Sequence, residues 1–276
     1  MQRILVLSSY VAHGAVGLQA AVPPLQRPGR DVIALPTTLL SNHPGHPNCA
    51  GDPVSTEKLA AMMAALDANG WLTHIDAILT GYLPTAAHAE WAGKTVERLR
   101  SRCPRLIYVC DPVLGDDPGG LYVSATAAET VRDRLMPIAD LITPNRFELA
   151  WLSGVAVDSS KSAIAAARKL ATQNIAATSI PDRKAVLANL FVTPATIWTS
   201  TVARVPGVPH GTGDLFAGLL LASLLDDSSE DAALAYAVGG VAHAVSRSIN
   251  SLDLELAGHR WTADAVAPAE VEVWHA

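Results

Sequence analysis

Two apolar rhythms alternate along this chain. Short continuous runs such as ILVL at 4–7 and LIYVC at 106–110 read as strands buried on both faces, the pattern of a parallel sheet. Between them lie longer segments with apolar residues at helical spacing. Leu59, Met62, Met63 and Leu66 behind a capping Ser55 are one example, with both methionines expected in the core. The pattern predicts strands at 3–9, 31–35, 75–80, 106–110, 141–143, 175–179, 188–193 and 196–200, the last two antiparallel. Helices are expected from Gly17 to about residue 25, after Ser55, and at 85–102, 124–135, 146–152, 160–172, 214–226 and 230–248. Residues 36–53 read as irregular. This alternation predicts a doubly wound α/β fold, a mostly parallel central sheet flanked by helices on both faces. No linker, repeat or low-complexity tract interrupts residues 1–276, so one domain is the expectation.

In such a sheet the ligand site lies outside the carboxyl ends of the strands. Ser8-Ser9, Gly81-Tyr82, Asp111-Pro112, Thr143-Pro144-Asn145 and Thr178-Ser179 all fall at predicted strand ends. They are expected to line one edge.

Composition narrows the class. Of 276 residues, 50% are hydrophobic and 17% charged, which argues against disorder. The net charge of −6, with no basic block, argues against a nucleic-acid partner. Cys49, Cys103 and Cys110 are odd in number and include no CxxC pair, so a reducing cytoplasm fits better than a disulfide framework. The run Leu215 to Leu225 is too short to span a bilayer, and the N-terminal apolar run is too short for a signal peptide.

The densest chemistry sits at Gly211-Thr212-Gly213-Asp214, just before that buried run. Glycines let backbone N–H groups approach a ligand, and a helix start favours an anion. Such an anion hole can stabilise a transferring phosphoryl group while Asp214 takes a proton from an attacking hydroxyl. The plainer reading makes Asp214 a helix N-cap. Asp111, fixed by Pro112, can orient metal-bound water or phosphate, or belong to an ordinary Asp-Pro turn. Asn145 and Glu148 have capping-box spacing, compatible with a second role for Thr143 and Asn145 near phosphates and for Glu148 near magnesium. Ser8 to Gly17 forms a glycine-spaced loop that can cradle a small polar ring, but neither a dinucleotide fingerprint nor a Walker A loop occurs. His43 and His46 suit loop contacts to ligand or solvent better than zinc, His243 reads as a core or interface residue, and the cysteines read as buried or inert.

These stretches together resemble the ribokinase-like superfamily and, within it, the pyridoxal kinases. The resemblance covers most of the chain: SSYVAHGAVG, SNHPGH, TGYL at Thr80 to Leu83, PRLIYVCDPVLGD, ADLITPNRFEL and GTGDLFAG. It implies ATP-dependent phosphorylation of the 5′-hydroxyl of pyridoxal, with Mg²⁺ and often K⁺, by a cytoplasmic homodimer. By resemblance Asp214 is the base, with Gly211, Thr212 and Gly213 forming the anion hole. Ser9, Val16, Leu40, His43, Pro44 and Tyr82 surround the pyridine ring. Asp111, Thr143, Asn145, Glu148, Thr178 and Ser179 serve ATP, Asp111 and Glu148 also the metal, and residues 118–122 form a flap. The chain departs from the family pattern at Leu18, at Pro44 and at His210, where an apolar residue is common. A hydroxymethylpyrimidine kinase and a non-catalytic pyridoxal- or PLP-binding pseudokinase are the alternatives.

Overall fold

The run at 4–7 becomes the middle of β1 (Gln2–Val11) in the computed structural model, which describes residues 1–27, 29–248, 251–256, 261 and 267–274. β1 pairs in parallel with β2 (Arg30–Leu40) on one side and β4 (Ala77–Thr80) on the other. β4, β5 (Ile107–Cys110), β8 (Leu141–Ile142) and β9 (Ile175–Pro181) continue the parallel series. Antiparallel strands finish both edges. β10 (Val186–Val192), β11 (Ile197–Ala203) and β12 (Glu272–Val273) lie beyond β9, and β3 (Gly51–Pro53) lies beyond β2. The ten strands run in the order β12-β11-β10-β9-β8-β5-β4-β1-β2-β3. β6 (Gly115–Asp116) and β7 (Gly120–Leu121) form a separate small hairpin.

Alternation along β1 explains the layers. Leu5 and Leu7 point to one face and Ile4 and Val6 to the other, because successive strand side chains face opposite ways. The first face buries α2 (Thr56–Ala68), α3 (Ala86–Arg102), α4 (Ala125–Thr130), α5 (Arg146–Ser153) and α6 (Ser160–Ala167) through residues such as Leu59, Leu99, Ala128, Leu149 and Ala166. The second buries α1 (Leu18–Ala21), α7 (Thr212–Leu224) and α8 (Glu230–Arg247) through Leu18, Leu219 and Leu234. This is the helix-covered parallel sheet expected from the alternation, and the two antiparallel neighbours at its edge are β10 and β11.

Several local expectations fail for identifiable reasons. The helix expected to reach residue 25 is a single turn, because Pro23 and Pro24 remove the N–H donors needed to continue it. β2 runs on to Leu40 through a stretch read as irregular. Ser8 pairs with Pro36 but Ser9 with Thr38, so Thr37 is the extra residue of a bulge beside a proline that cannot donate. The helix expected at 124–135 keeps α geometry only to Thr130, then widens and tightens in turn through Ile138, and the one expected at 160–172 ends at Ala167. Met63 is buried but Met62 is exposed. His243 lies exposed on α8 rather than in the core, and Cys49 is exposed while Cys103 and Cys110 are buried.

Candidate active site

The entrance to α7 is built on a glycine that no other residue replaces. Gly211 is the N-cap with φ 93°, and a Cβ there would lie 1.9 Å from the Ala15 carbonyl oxygen. The N-cap is therefore Gly211 and not Asp214, and no side chain caps the helix. Gly213 is exposed, and nothing lies within 4 Å of where its Cβ would stand. The first turn thus presents open backbone at the positive end of the helix dipole. Behind it, Leu215 to Ala222 are buried and hold the helix in the core.

Asp214, the third residue of α7, faces a narrow cleft shared with Ser8, Gly81 and Asp111. Gly81 and Asp111 directly follow β4 and β5, as the strand-end expectation has it, whereas Ser8 is level with Gly81 inside β1, which runs on to Val11, and Thr178-Ser179 likewise fall inside β9. A Cβ at Gly81 would lie 2.5 Å from Ser8 Oγ and 3.7 Å from Asp214 Oδ1, so a glycine keeps this side open. Ser8 Oγ accepts from the Tyr82 N–H at 3.1 Å, and Thr37 Oγ1 donates to the Tyr82 carbonyl at 2.7 Å. The bulge in β2 thereby fixes the backbone of Tyr82.

Asp111 and Glu148 form a second carboxylate group. Thr143 Oγ1 donates to Asp111 Oδ1 at 2.8 Å. Glu148 completes the expected capping box: its Oε2 accepts from Asn145 N–H at 2.8 Å while Asn145 Oδ1 accepts from Glu148 N–H at 3.0 Å. Its other oxygen accepts from Leu114 N–H at 3.0 Å and Gly115 N–H at 3.5 Å. Asn145 Nδ2 donates to the Gly115 carbonyl at 2.8 Å, and Arg146 pairs with Asp117. The β6–β7 hairpin is thus pinned to the start of α5.

No cation offsets these acids among the described residues. Burial pushes Asp111 up to about 8, with repulsion from Asp214 adding to the rise and the Thr143 hydrogen bond opposing it. Burial also pushes Asp214 up to about 6, against the Gly17 backbone amide. Burial, then Asp111, raises Glu148 well above the ordinary carboxylate range. Asp111, raised by burial and Asp214, and Glu148, raised by burial and Asp111, are buried acids without a cation among the described residues, which fits a divalent ion of the magnesium type that takes one or two carboxylates and completes its shell with water and phosphate.

The ring-side residues lie around the same end of β1. Ser9 is buried and packs on Gly17, where a Cβ would lie 2.4 Å from Ser9 Oγ. Val16 is buried, Leu40 ends β2 opposite Val11, and Tyr82 packs against the first core cluster. Pro44 is exposed. His43 stacks on His210 at 3.8 Å between ring centroids, and His46 Nε2 lies 3.0 Å from Asp253 Oδ2. The loop histidines therefore pair with protein groups. Thr178 N–H donates to the Pro144 carbonyl at 3.0 Å, which sets Thr178 beside Asn145, and Ser179 is exposed with φ 61°. A non-glycine residue in that left-handed region is held by its surroundings, here by Asn189 Oδ1 accepting from Ser179 N–H at 3.4 Å.

Gly17 closes the glycine-spaced loop that the sequence singled out, and it packs on Ser9. Sequence reasoning passed over Thr37, Asn189 and Asp253, which carry no local signal because each matters through a partner on another element.

A mostly parallel sheet, an uncapped glycine turn at a buried helix and an acid facing a cleft at the strand ends define a ribokinase-like small-molecule kinase. The family model for phosphomethylpyrimidine kinase matches residues 51–257. Pyridoxal kinase PdxY of Leifsonia xyli is 33% identical over 260 residues, covering 92% of each chain. The pyridoxine/pyridoxal/pyridoxamine kinase of Bordetella avium is 36% identical over 239 residues, 84% of this chain and 80% of its own. Pyridoxal kinase from Leishmania donovani in complex with ADP and pyridoxamine superposes with a TM-score of 0.93 at 30% identity, covering 100% of both chains. The chain belongs to the phosphomethylpyrimidine kinase family and, within it, to the pyridoxal kinases.

Proposed function

We propose that the protein transfers the γ-phosphoryl group of ATP to the 5′-hydroxyl of pyridoxal, giving pyridoxal 5′-phosphate and ADP. The observation that carries this reading is Asp214: an acid raised to about 6, in a cleft with Gly81 and Asp111, at the mouth of an uncapped helix. A base with that value is ionised at neutral pH yet basic enough to take the hydroxyl proton. The hydroxyl oxygen forms the new bond to phosphorus as Asp214 takes its proton and ADP leaves with the old bond's electrons. The open backbone from Gly211 through Thr212 to Gly213 faces the charge that develops on the phosphoryl oxygens. Ser9, Val16, Leu40, His43, Pro44 and Tyr82 enclose the ring, and Thr143, Asn145, Thr178 and Ser179 hold the nucleotide. Magnesium, which neutralises phosphate charge when bound, would be held by Asp111 and Glu148, with K⁺ as a further ion.

The whole chain acts as one domain in this reading, and the enzyme works as a homodimer in the cytoplasm. The free cysteines suit a reducing compartment, and no helix of the described residues is long and apolar enough to cross a membrane. The matching family model is described as phosphomethylpyrimidine kinase, and a second reading within that pyrimidine chemistry is phosphorylation of hydroxymethylpyrimidine. Purified protein incubated with Mg-ATP and either pyridoxal or hydroxymethylpyrimidine separates the two. ADP and pyridoxal 5′-phosphate formed from pyridoxal is the expected result. Turnover of the pyrimidine alone would reverse the assignment, and tight pyridoxal binding without turnover would mark a carrier.

A further inference from the structure

One cluster beside the cleft is not absorbed by the chemistry above. It joins four segments: the loop after β2, the turn before α7, the chain after α8 and the loop after β1. His43 and His210 lie face to face with 3.8 Å between centroids and 24° between planes. Gly45 packs against the nitrogen edges of both rings, where a Cβ would lie 2.7 Å from His210 Nε2 and 2.9 Å from His43 Nδ1 and would force a ring to shift. The Gly45 N–H donates to His43 Nδ1 at 3.0 Å, so that nitrogen is an acceptor and the neutral ring carries its proton on Nε2. Burial and the neighbouring His210 push His43 down to about 4, which keeps it neutral at physiological pH.

Asp253 supplies the second tie. Its Oδ2 lies 3.0 Å from His46 Nε2, and its Oδ1 is buried without a hydrogen-bond partner. It sits over Gly14, whose Cβ would come within 3.0 Å of Oδ1. His210 N–H donates to the Leu252 carbonyl at 3.0 Å, so both ties converge on one short bridge. The loop carrying His43 and Pro44 is therefore held to the residue immediately before Gly211.

We propose that His210 is a positioning residue for the pyridine-ring site. Its ring face, backed by the His46–Asp253 pair, fixes the loop at 41–46 against the glycine turn and so sets the distance between the bound ring and the anion hole. The inference rests on the pyridoxal kinase reading. His210 stacks on the ring-site loop and not on the nucleotide-side residues, so its loss weakens binding of the vitamer and spares ATP.

The test is steady-state kinetics on full-length His210→Leu, which keeps apolar bulk without a ring face, and His210→Phe, which keeps the face. His210→Leu is expected to raise the KM for pyridoxal about tenfold, from the worth of a ring stack. Its kcat and its KM for ATP are expected to stay within about threefold of wild type, a change too small to signal a lost binding contact. His210→Phe is expected to recover most of the pyridoxal KM, and Asp253→Asn to raise it in the same selective way. An unchanged pyridoxal KM in His210→Leu, an equal rise in both KM values, or a Phe variant as impaired as Leu would overturn the proposal. If His210→Leu does not fold, the Asp253→Asn split decides by the same criteria. Wild-type protein that does not turn over pyridoxal counts against the activity. Wild-type turnover with an unshifted His210→Leu counts against the positioning role alone.

Discussion

The helices α5 and α7 each carry an acid at their third position, and the two acids have different fates. At α5 the N-cap is Asn145, and Glu148 closes a capping box while accepting from two further backbone N–H groups. At α7 the N-cap is Gly211, which has no side chain to close a box with, and Asp214 is left facing the cleft. Both are raised above their ordinary values by burial, but Glu148 is tied by hydrogen bonds on both oxygens. Position within a helix therefore does not decide whether an acid is left facing a cleft. What matters is whether the surrounding backbone has already used its lone pairs.

The largest expected effect separates these two acids. Asp214→Asn removes the proposed base and is expected to lower kcat by about 10²–10⁴-fold, the range for loss of a general base. Its melting temperature is expected to hold or rise at neutral pH, because the desolvation that raises Asp214 no longer opposes a charge there. Glu148→Ala strands three backbone donors and is expected to cost about 2–4 kcal/mol, read as a melting temperature several degrees lower. Near-normal turnover in Asp214→Asn would remove it from the base position, and an unshifted melting temperature in Glu148→Ala would break the contrast.

The two glycines of the same turn sharpen it further. Gly211→Ala meets the Ala15 carbonyl and a positive φ, so it is expected to cost about 2–4 kcal/mol. Gly213→Ala meets nothing within 4 Å and is expected to fold like wild type. Its loss is expected in kcat/KM alone, because the methyl group occupies the face offered to the phosphate. Thermal melts of both variants beside kinetics of the Gly213 variant test the division of labour.

A smaller effect concerns pH. Asp111 is held at about 8 in the folded protein, above its ordinary value of 3.8, so the folded state keeps a proton that the unfolded chain gives up. Its contribution to stability is complete below the unfolded value and is lost as pH rises through about 8. Asp111→Asn is therefore expected to gain melting temperature over wild type as pH goes from 5 to 8, without nucleotide or magnesium. A constant difference across that range would show that the site already relieves the charge.

Much of the fold was legible because it rests on local rules. Apolar runs and helical spacing marked strands and helices, and most bounds fell within a few residues. The exceptions were places where a proline or a bulge changed the outcome, as at Pro23 and Thr37. The site was legible where a motif is continuous in the chain, as from Gly211 to Asp214 or from Thr143 to Glu148. It was not legible in His210 or Asp253, whose side-chain partners His43 and His46 lie more than a hundred residues away.

The sequence by itself determined that α7 begins at a glycine turn, that its acid cannot close a box with Gly211, and that an apolar run anchors it. Those follow from residue type and spacing. Only the tertiary structure decided that the Ala15 carbonyl leaves no room for a Cβ at Gly211 while Gly213 stays open, and that His43 lies flat on His210. It also decided that Asp214 and Asp111 share one cleft. The reason is that burial and charge repulsion depend on distance in space. The ends of β5 and the start of α7 become neighbours only when the parallel sheet brings its strand ends to one edge.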